Sequence, residues 1–398
     1  MKITNKYLVE GLVFLSYVLF AMAWVGGTAS MGQIMQSMAI DSLADASFIS
    51  GAVTLAKIVG TFCAAWLAVR YGVKMAFFIA SLLIAVGVFT PYSPNYEILL
   101  VSRFLVGLGG AFMIVYFNPI VLQWFTPQER PVVNGLNAVA FNVGTGVVLW
   151  LMNDINRLTG GWQASLTLFS IASVLLALIW LFVEFDSQER TDADGNTKKE
   201  EIYTYTQGLK DKFNWAYAFT YSGLLAFYIC LFTFYPKAGI SQSKWVIGFG
   251  IIGTIAGILY SQKIKQRLPV IRWSGLIMTI SLIGLSFSQT PHVQMMSAIV
   301  LGFFIFFPIT ALVSIPHELS NMTSSRVTVI FSLFYSISYL LATFILWAFG
   351  KLVDVYQGDY APSLSMICVL SLTFFVGSFF LPETQPKKLL KEENVYEG

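Results

Sequence analysis

Residues 46–69 read ASFISGAVTLAKIVGTFCAAWLAV, residues 70–74 read RYGVK, and residues 75–92 read MAFFIASLLIAVGVFTPY. Each apolar run is close to the ~20 residues that carry a helix across a ~30 Å hydrocarbon layer. Between them lies a short basic turn. No water is available in that layer to satisfy a bare backbone, so such a chain crosses as helices that bond internally. The same texture recurs twelve times, at approximately 11–35, 46–69, 75–92, 97–123, 132–152, 163–183, 214–235, 244–261, 271–288, 293–315, 327–350 and 361–381. The composition agrees: 56% of residues are hydrophobic, 11% are charged and the mean hydropathy is +0.70. These values exclude an ordinary soluble domain. The first run is too long for a secretory leader and lacks a small-residue cleavage site, so it is expected to stay as the first span.

Lys and Arg set the expected orientation. With the N-terminus in the cytoplasm, alternate loops and tails on that side carry 18 cations and the outer loops carry four, Arg157, Lys237, Lys244 and Lys351. This bias predicts both termini in the cytoplasm and a cell (inner or plasma) membrane location. The net charge of +3 follows from the bias, and no nucleic-acid partner is expected. One long polar stretch divides the chain. The reading is therefore an N-terminal six-helix bundle at 1–184, a cytoplasmic linker at 185–213, a C-terminal six-helix bundle at 214–382 and a tail at 383–398. Cys63, Cys230 and Cys368 sit in three different spans without metal or disulfide spacing and read as small apolar residues.

Two cations remain inside the spans, Lys57 in the second and Arg103 in the fourth. Lys57 lies about 11 residues into its span, or roughly 16 Å at 1.5 Å per residue, which is mid-membrane. Arg103 lies about six residues in, or roughly 9 Å from the outer side. A charge at such depth costs about 2.5–3.5 kcal/mol even on the lenient insertion scale. The acidic residues, among them Glu10 and Glu318, fall at span ends, in loops, in the linker or in the tail. A buried cation without a protein anion calls for an anion from elsewhere, and a small carboxylate or inorganic oxyanion would supply it.

Polar and aromatic stripes mark further wall residues. Ser332, Tyr335, Ser336 and Tyr339 share one helical face, as do Tyr217, Tyr221 and Tyr228. Tyr116, Asn118, Asn142 and Trp24 complete the candidates, because phenols and amides avoid lipid. Met31, Met35 and Met38, at i, i+4 and i+7, form a rival constellation that would suit Cu(I) or another metal ion, although such stripes usually pack. Pro308 and Pro316 predict kinks. His317 beside Glu318 is a candidate titrating pair. No nucleophile–base set, phosphate cradle or ligand cluster appears, so neither an enzyme nor a cofactor is expected.

The turn at 65–74, AWLAVRYGVK, resembles the loop signature G-x-L-x-D-R-x-G-x-[RK] of the major facilitator superfamily. Leu67, Arg70, Gly72 and Lys74 match, while Ala65 replaces Gly and Val69 replaces Asp. The equivalent loop of the second half keeps Gly257 and Leu259 but has Ser261 and Gln262 at the Asp-Arg positions. Arg103, Gly107 and Gly109 are similar to the fourth-span motif R-x-x-x-G-x-G. The resemblance implies an all-α membrane protein with twelve transmembrane helices in two six-helix bundles, a monomer carrying a small molecule by alternating access. It also implies a gating role for Arg70, Gly72 and Lys74, and for Arg103 either a structural, a proton-relay or a substrate role. Gly135 and Gly144 begin the fifth-span signature of drug/proton exchangers, but Val148 and Leu149 stand where Gly-Pro is expected. Export of amphipathic compounds is thereby the second reading. Gly160-Gly161-Trp162 is similar to the cyanate/nitrate and organic-anion branches, and nitrate/nitrite porters place a substrate cation in the second span, about one turn from Lys57.

Overall fold

Asn5 opens the first helix, its side chain accepting from the Tyr7 amide that the helix leaves unpaired. Asn95 and Asp211 do the same for two later helices. The computed structural model describes residues 2–126, 129–185, 203–263, 266–320 and 324–384. Among them the chain is helical, apart from one bridge between Ile3 and Val183. The first half comprises α1 (Lys6–Ala29), α2 (Met31–Met38), α3 (Leu43–Ala46), α4 (Phe48–Ala85), α5 (Tyr96–Trp124), α6 (Arg130–Thr159) and α7 (Trp162–Trp180). The second comprises α8 (Tyr205–Lys210), α9 (Lys212–Thr233), α10 (Ser243–Lys263), α11 (Leu268–Phe287), α12 (Pro291–Phe306), α13 (Ile309–Glu318), α14 (Ser324–Val355) and α15 (Ala361–Gly377).

Eleven described helices are long and apolar enough to cross a membrane, and the shorter apolar Phe48–Ala64 is the further passage. The second and third expected spans are two helices, written together as α4, that meet at a break at Gly72 (φ 76°, ψ 158°). No Cβ is present there to resist the left-handed region, so the chain reverses without leaving helix on either side. The first expected span ends early: Ser30 separates α1 from the short α2. The tenth divides at Pro308, which caps α13, whereas Pro316 is carried inside that helix. Pro308 has no amide hydrogen to continue the ladder. Most of the expected linker, 185–213, and of the tail, 383–398, lies outside the described residues.

Lipid is as apolar as leucine, so these helices are held by close packing and buried polar bonds. Gly107 of α5 shows the first: a Cβ there would stand 2.7 Å from the Val53 carbonyl oxygen of α4. At the end away from the termini, hydrogen bonds join the two halves. The Asp354 carboxylate near the end of α14 accepts from Ser42 Oγ (2.9 Å), Leu43 N (2.8 Å) and Ala44 N (2.9 Å), the opening of α3. Beneath it, Thr54 and Thr343 share a hydrogen bond. At the other end, Lys6 pairs with Glu129 (2.6 Å), Lys2 with Glu184, and Arg267 with Glu318 (2.6 Å).

Candidate functional site

A cavity of about 600 Å³ runs from the middle of the bundle toward the end that holds residues 2–6 and 383–384. Tyr17 and Trp24 of α1, Lys57 of α4 and Phe141 of α6 form its inner wall with Tyr221 and Tyr228 of α9 and Tyr339 of α14. Leu224, Leu225, Ile258, Phe306 and Val313 line its length, and Ser261, Arg267 and His317 stand toward the mouth. Asp354 and its partners close the opposite side.

Lys57 is the inner cation, only 4% exposed. Its ammonium donates to Tyr339 OH at 3.2 Å. Four rings surround it, with centroids at 5.0 Å (Phe20), 5.0 Å (Trp24), 5.7 Å (Phe141) and 5.2 Å (Tyr339). Aromatic faces compensate part of the lost hydration through the ring quadrupole. They supply no counter-charge. Among the described residues, no carboxylate lies within ion-pair distance of Lys57.

Arg103 was expected in the same cavity, and the structure places it elsewhere. Its guanidinium donates to Ala23 O (2.7 Å) and Trp24 O (2.6 Å) of α1 and to Ile49 O (2.9 Å) of α4. Gly27 leaves it room, since a Cβ there would lie 2.5 Å from Nη1. The residue is 1% exposed and absent from the cavity wall, so it staples α1 and α4 to α5. Depth was legible in the sequence; which way the side chain turned was not.

The other expected site residues divide in the same manner. Trp24, Tyr221, Tyr228 and Tyr339 line the cavity, and Tyr335 borders a hollow of about 20 Å³ beside Lys57. Asn142 stands one layer back, accepting from Tyr228 OH at 2.6 Å. Tyr116 points away, its hydroxyl donating to Ala64 O (2.9 Å), and Asn118 is exposed outside the wall. Of the gating triplet, Gly72 is the hinge of α4, while Arg70 and Lys74 flank it without lining the cavity. Met31 is fully buried in the core, with Met35 and Met38 packed against it, which is the geometry of packing rather than of an open metal site. Glu318 is engaged by Arg267 and Thr384 rather than by His317, whose ring lies 5.4 Å from that of Phe331. Glu10, read as a span-end residue, is 5% exposed and faces the Asn137 amide without closing a hydrogen bond.

Sequence reasoning missed Phe20, Tyr17 and Phe141. Phe20 and Tyr17 stand four and seven residues before Trp24 on one helical face, an aromatic stripe that was available to be read. Phe141 carried no signal beyond its neighbour Asn142.

A helical bundle across the membrane, with a cavity at mid-depth that opens to one end, defines a membrane transporter. The model of the Major Facilitator Superfamily matches residues 13–343, and the chain belongs to that superfamily. An uncharacterised protein of Campylobacter jejuni is 31% identical over 57% of this chain and 69% of its own length. The hexuronate transporter of Bacillus subtilis is 26% identical over 50% of this chain, which spans about half (51%) of that relative. The probable anion transporter 6 of rice is 26% identical over 63% of this chain and 65% of that protein. In fold, the chain superposes on the inward-open xylose transporter of E. coli with a TM-score of 0.77, at 15% identity over 96% of this chain and 98% of that one.

Proposed function

We propose that the protein carries a small anion, a carboxylate or inorganic oxyanion, by alternating access, and that Lys57 is the cation that binds it. The observation that carries this reading is an ammonium at the inner end of the cavity with rings around it and no carboxylate in ion-pair reach among the described residues. An anion entering there would gain a charge-assisted hydrogen bond in a water-poor site. The names of two relatives, a hexuronate transporter and a probable anion transporter, support it. In this reading the two six-helix bundles at 1–184 and 214–382 rock about the cavity, joined by the 185–213 linker. Both termini are cytoplasmic in a cell membrane, and the carrier works as a monomer.

Counterflow in proteoliposomes tests the role of Lys57. Lys57→Ala is expected to fold, since it removes a costly buried charge, and to lose at least tenfold in anion uptake. Lys57→Arg is expected to keep partial uptake with altered selectivity, because a guanidinium is a planar fork. Uptake at the parent's rate by Lys57→Met would end the proposal. The apolar wall suits the rival reading, export of amphipathic compounds, which predicts that neutral compounds are moved as well by Lys57→Ala as by the parent.

A further inference from the structure

Resting on the anion reading above, we infer that the cavity takes a monocarboxylate with an apolar body, and rejects both polyhydroxylated sugar acids and dianions. Three features of the cavity lead there. The length of the wall beyond Lys57 is apolar, formed by Leu224, Leu225, Ile258, Phe306 and Val313. Such a surface gains free energy by covering hydrocarbon.

The second feature is that four of the polar side chains in that wall have already used their donors. Trp24 Nε1 donates to Ser50 Oγ (2.9 Å) and Tyr228 OH to Asn142 Oδ1 (2.6 Å). Thr254 Oγ1 donates to Gly250 O (2.9 Å) and Ser314 Oγ to Thr310 O (2.8 Å), within their own helices. Tyr17 and Tyr221 keep free hydroxyls on the inner wall, and Tyr17 stacks on the cage residue Phe20 at 5.4 Å. With Tyr339, whose hydroxyl only accepts from Lys57, three phenols and one ammonium gather at the inner end, a set for one carboxylate. Beyond that end, the uncommitted polar side chains of the wall are Asn134, Ser261, Thr310 and His317, too few and too scattered among apolar residues to replace the water around a ring of sugar hydroxyls, and unmatched polar groups discriminate strongly.

The third feature is charge. The other cation lining the cavity, Arg267, is held by Glu318, with Nη2 at 2.6 Å from one oxygen and Nε at 3.2 Å from both. A second carboxylate would therefore meet a neutralised arginine, with only the mouth residue His317 to answer it.

Four probes that share a six-membered ring separate these claims by titration calorimetry on the purified full-length protein. Cyclohexanecarboxylate presents one charge and a hydrocarbon body, and glucuronate presents the same charge with hydroxyls. Cyclohexane-1,4-dicarboxylate adds a second charge, and cyclohexanecarboxamide removes the charge. The expected result is that cyclohexanecarboxylate binds at least tenfold more tightly than each of the other three. Lys57→Met should bring the carboxylate down to the level of the carboxamide, and the carboxamide arm reads the same point without any mutation. Glucuronate or the dicarboxylate binding as tightly as cyclohexanecarboxylate overturns this inference and leaves the anion reading standing. The carboxamide binding as tightly as the carboxylate overturns the anion reading itself. Binding by none of the four also overturns the inference.

Discussion

Lys57 and Arg103 face the same problem, a positive charge far from water, and answer it in opposite ways. Arg103 uses all three of its nitrogens on backbone carbonyls of two neighbouring helices, at 2.6–2.9 Å. Its planar fork suits several fixed acceptors at once. Lys57 has one hydrogen bond, to Tyr339, and four rings. One charge is closed off by backbone carbonyls, and the other faces the cavity with aromatic rings in place of a counter-charge. Arg103→Met should thus be a stability variant. It removes three hydrogen bonds from a charged donor to carbonyls that keep their helical partners, at about 1.5–3 kcal/mol for each such bond, offset in part by the loss of a buried charge, so a net loss of a few kcal/mol is expected. Thermal unfolding in detergent should show a large drop in midpoint, while protein that remains folded keeps its anion affinity. An unchanged midpoint with lost affinity would return Arg103 to the site. Both cations were visible as buried charges in the sequence, and only the rotation of their helices separated one that lines the cavity from one that staples helices.

Among the elements, the junction of α3 and α14 joins the halves at the closed end. Asp354 caps the N-terminus of α3, where a carboxylate meets unpaired amides and the positive end of the helix dipole. Gly350 makes the approach possible, since a Cβ there would lie 2.7 Å from Leu43 O. Opening this end has to break those bonds. Asp354→Ala should shift the carrier toward the state open at that end, raising severalfold the alkylation rate of a cysteine at Thr343, which is buried under the clamp. The comparison belongs in a background without the exposed Cys63. An unchanged rate would show that the clamp does not hold the closed state. At the opposite end Glu129 accepts from Lys6 Nζ (2.6 Å) and from the Thr126 amide and hydroxyl (3.1 and 3.0 Å), and these bonds hold its carboxyl down to about 2. A carboxyl lowered in the folded state stabilises above its unfolded pKa, near 4.5, and loses that contribution as pH falls toward 2. Glu129→Gln should therefore lower stability slightly at neutral pH and flatten the acid limb of a midpoint-against-pH curve. The exposed setting keeps this effect small.

At the scale of the whole molecule, orientation is the expectation that a membrane experiment can decide. Single cysteines at Gly195 and Gln357, in a Cys63-free background, should react with an impermeant maleimide from opposite sides of intact cells, Gln357 from outside and Gly195 only after lysis. Labelling of Gly195 from outside would invert the topology. The sequence by itself determined the all-helical membrane class and nearly every passage, because hydropathy is a property of neighbouring residues and needs no tertiary contact to be read. It also marked the turn at Gly72 and the break at Pro308, where glycine and proline constrain the backbone directly. What only the tertiary structure decided was direction and pairing. Arg103 turns toward α1 and α4, Tyr116 toward Ala64, and Asn142 toward Tyr228, so a shared depth did not mean a shared cavity. Asp354 meets Leu43 across a separation of 311 residues. A local pattern states how deep a side chain lies, whereas the face it presents depends on how each helix is rotated and on which distant helix packs against it.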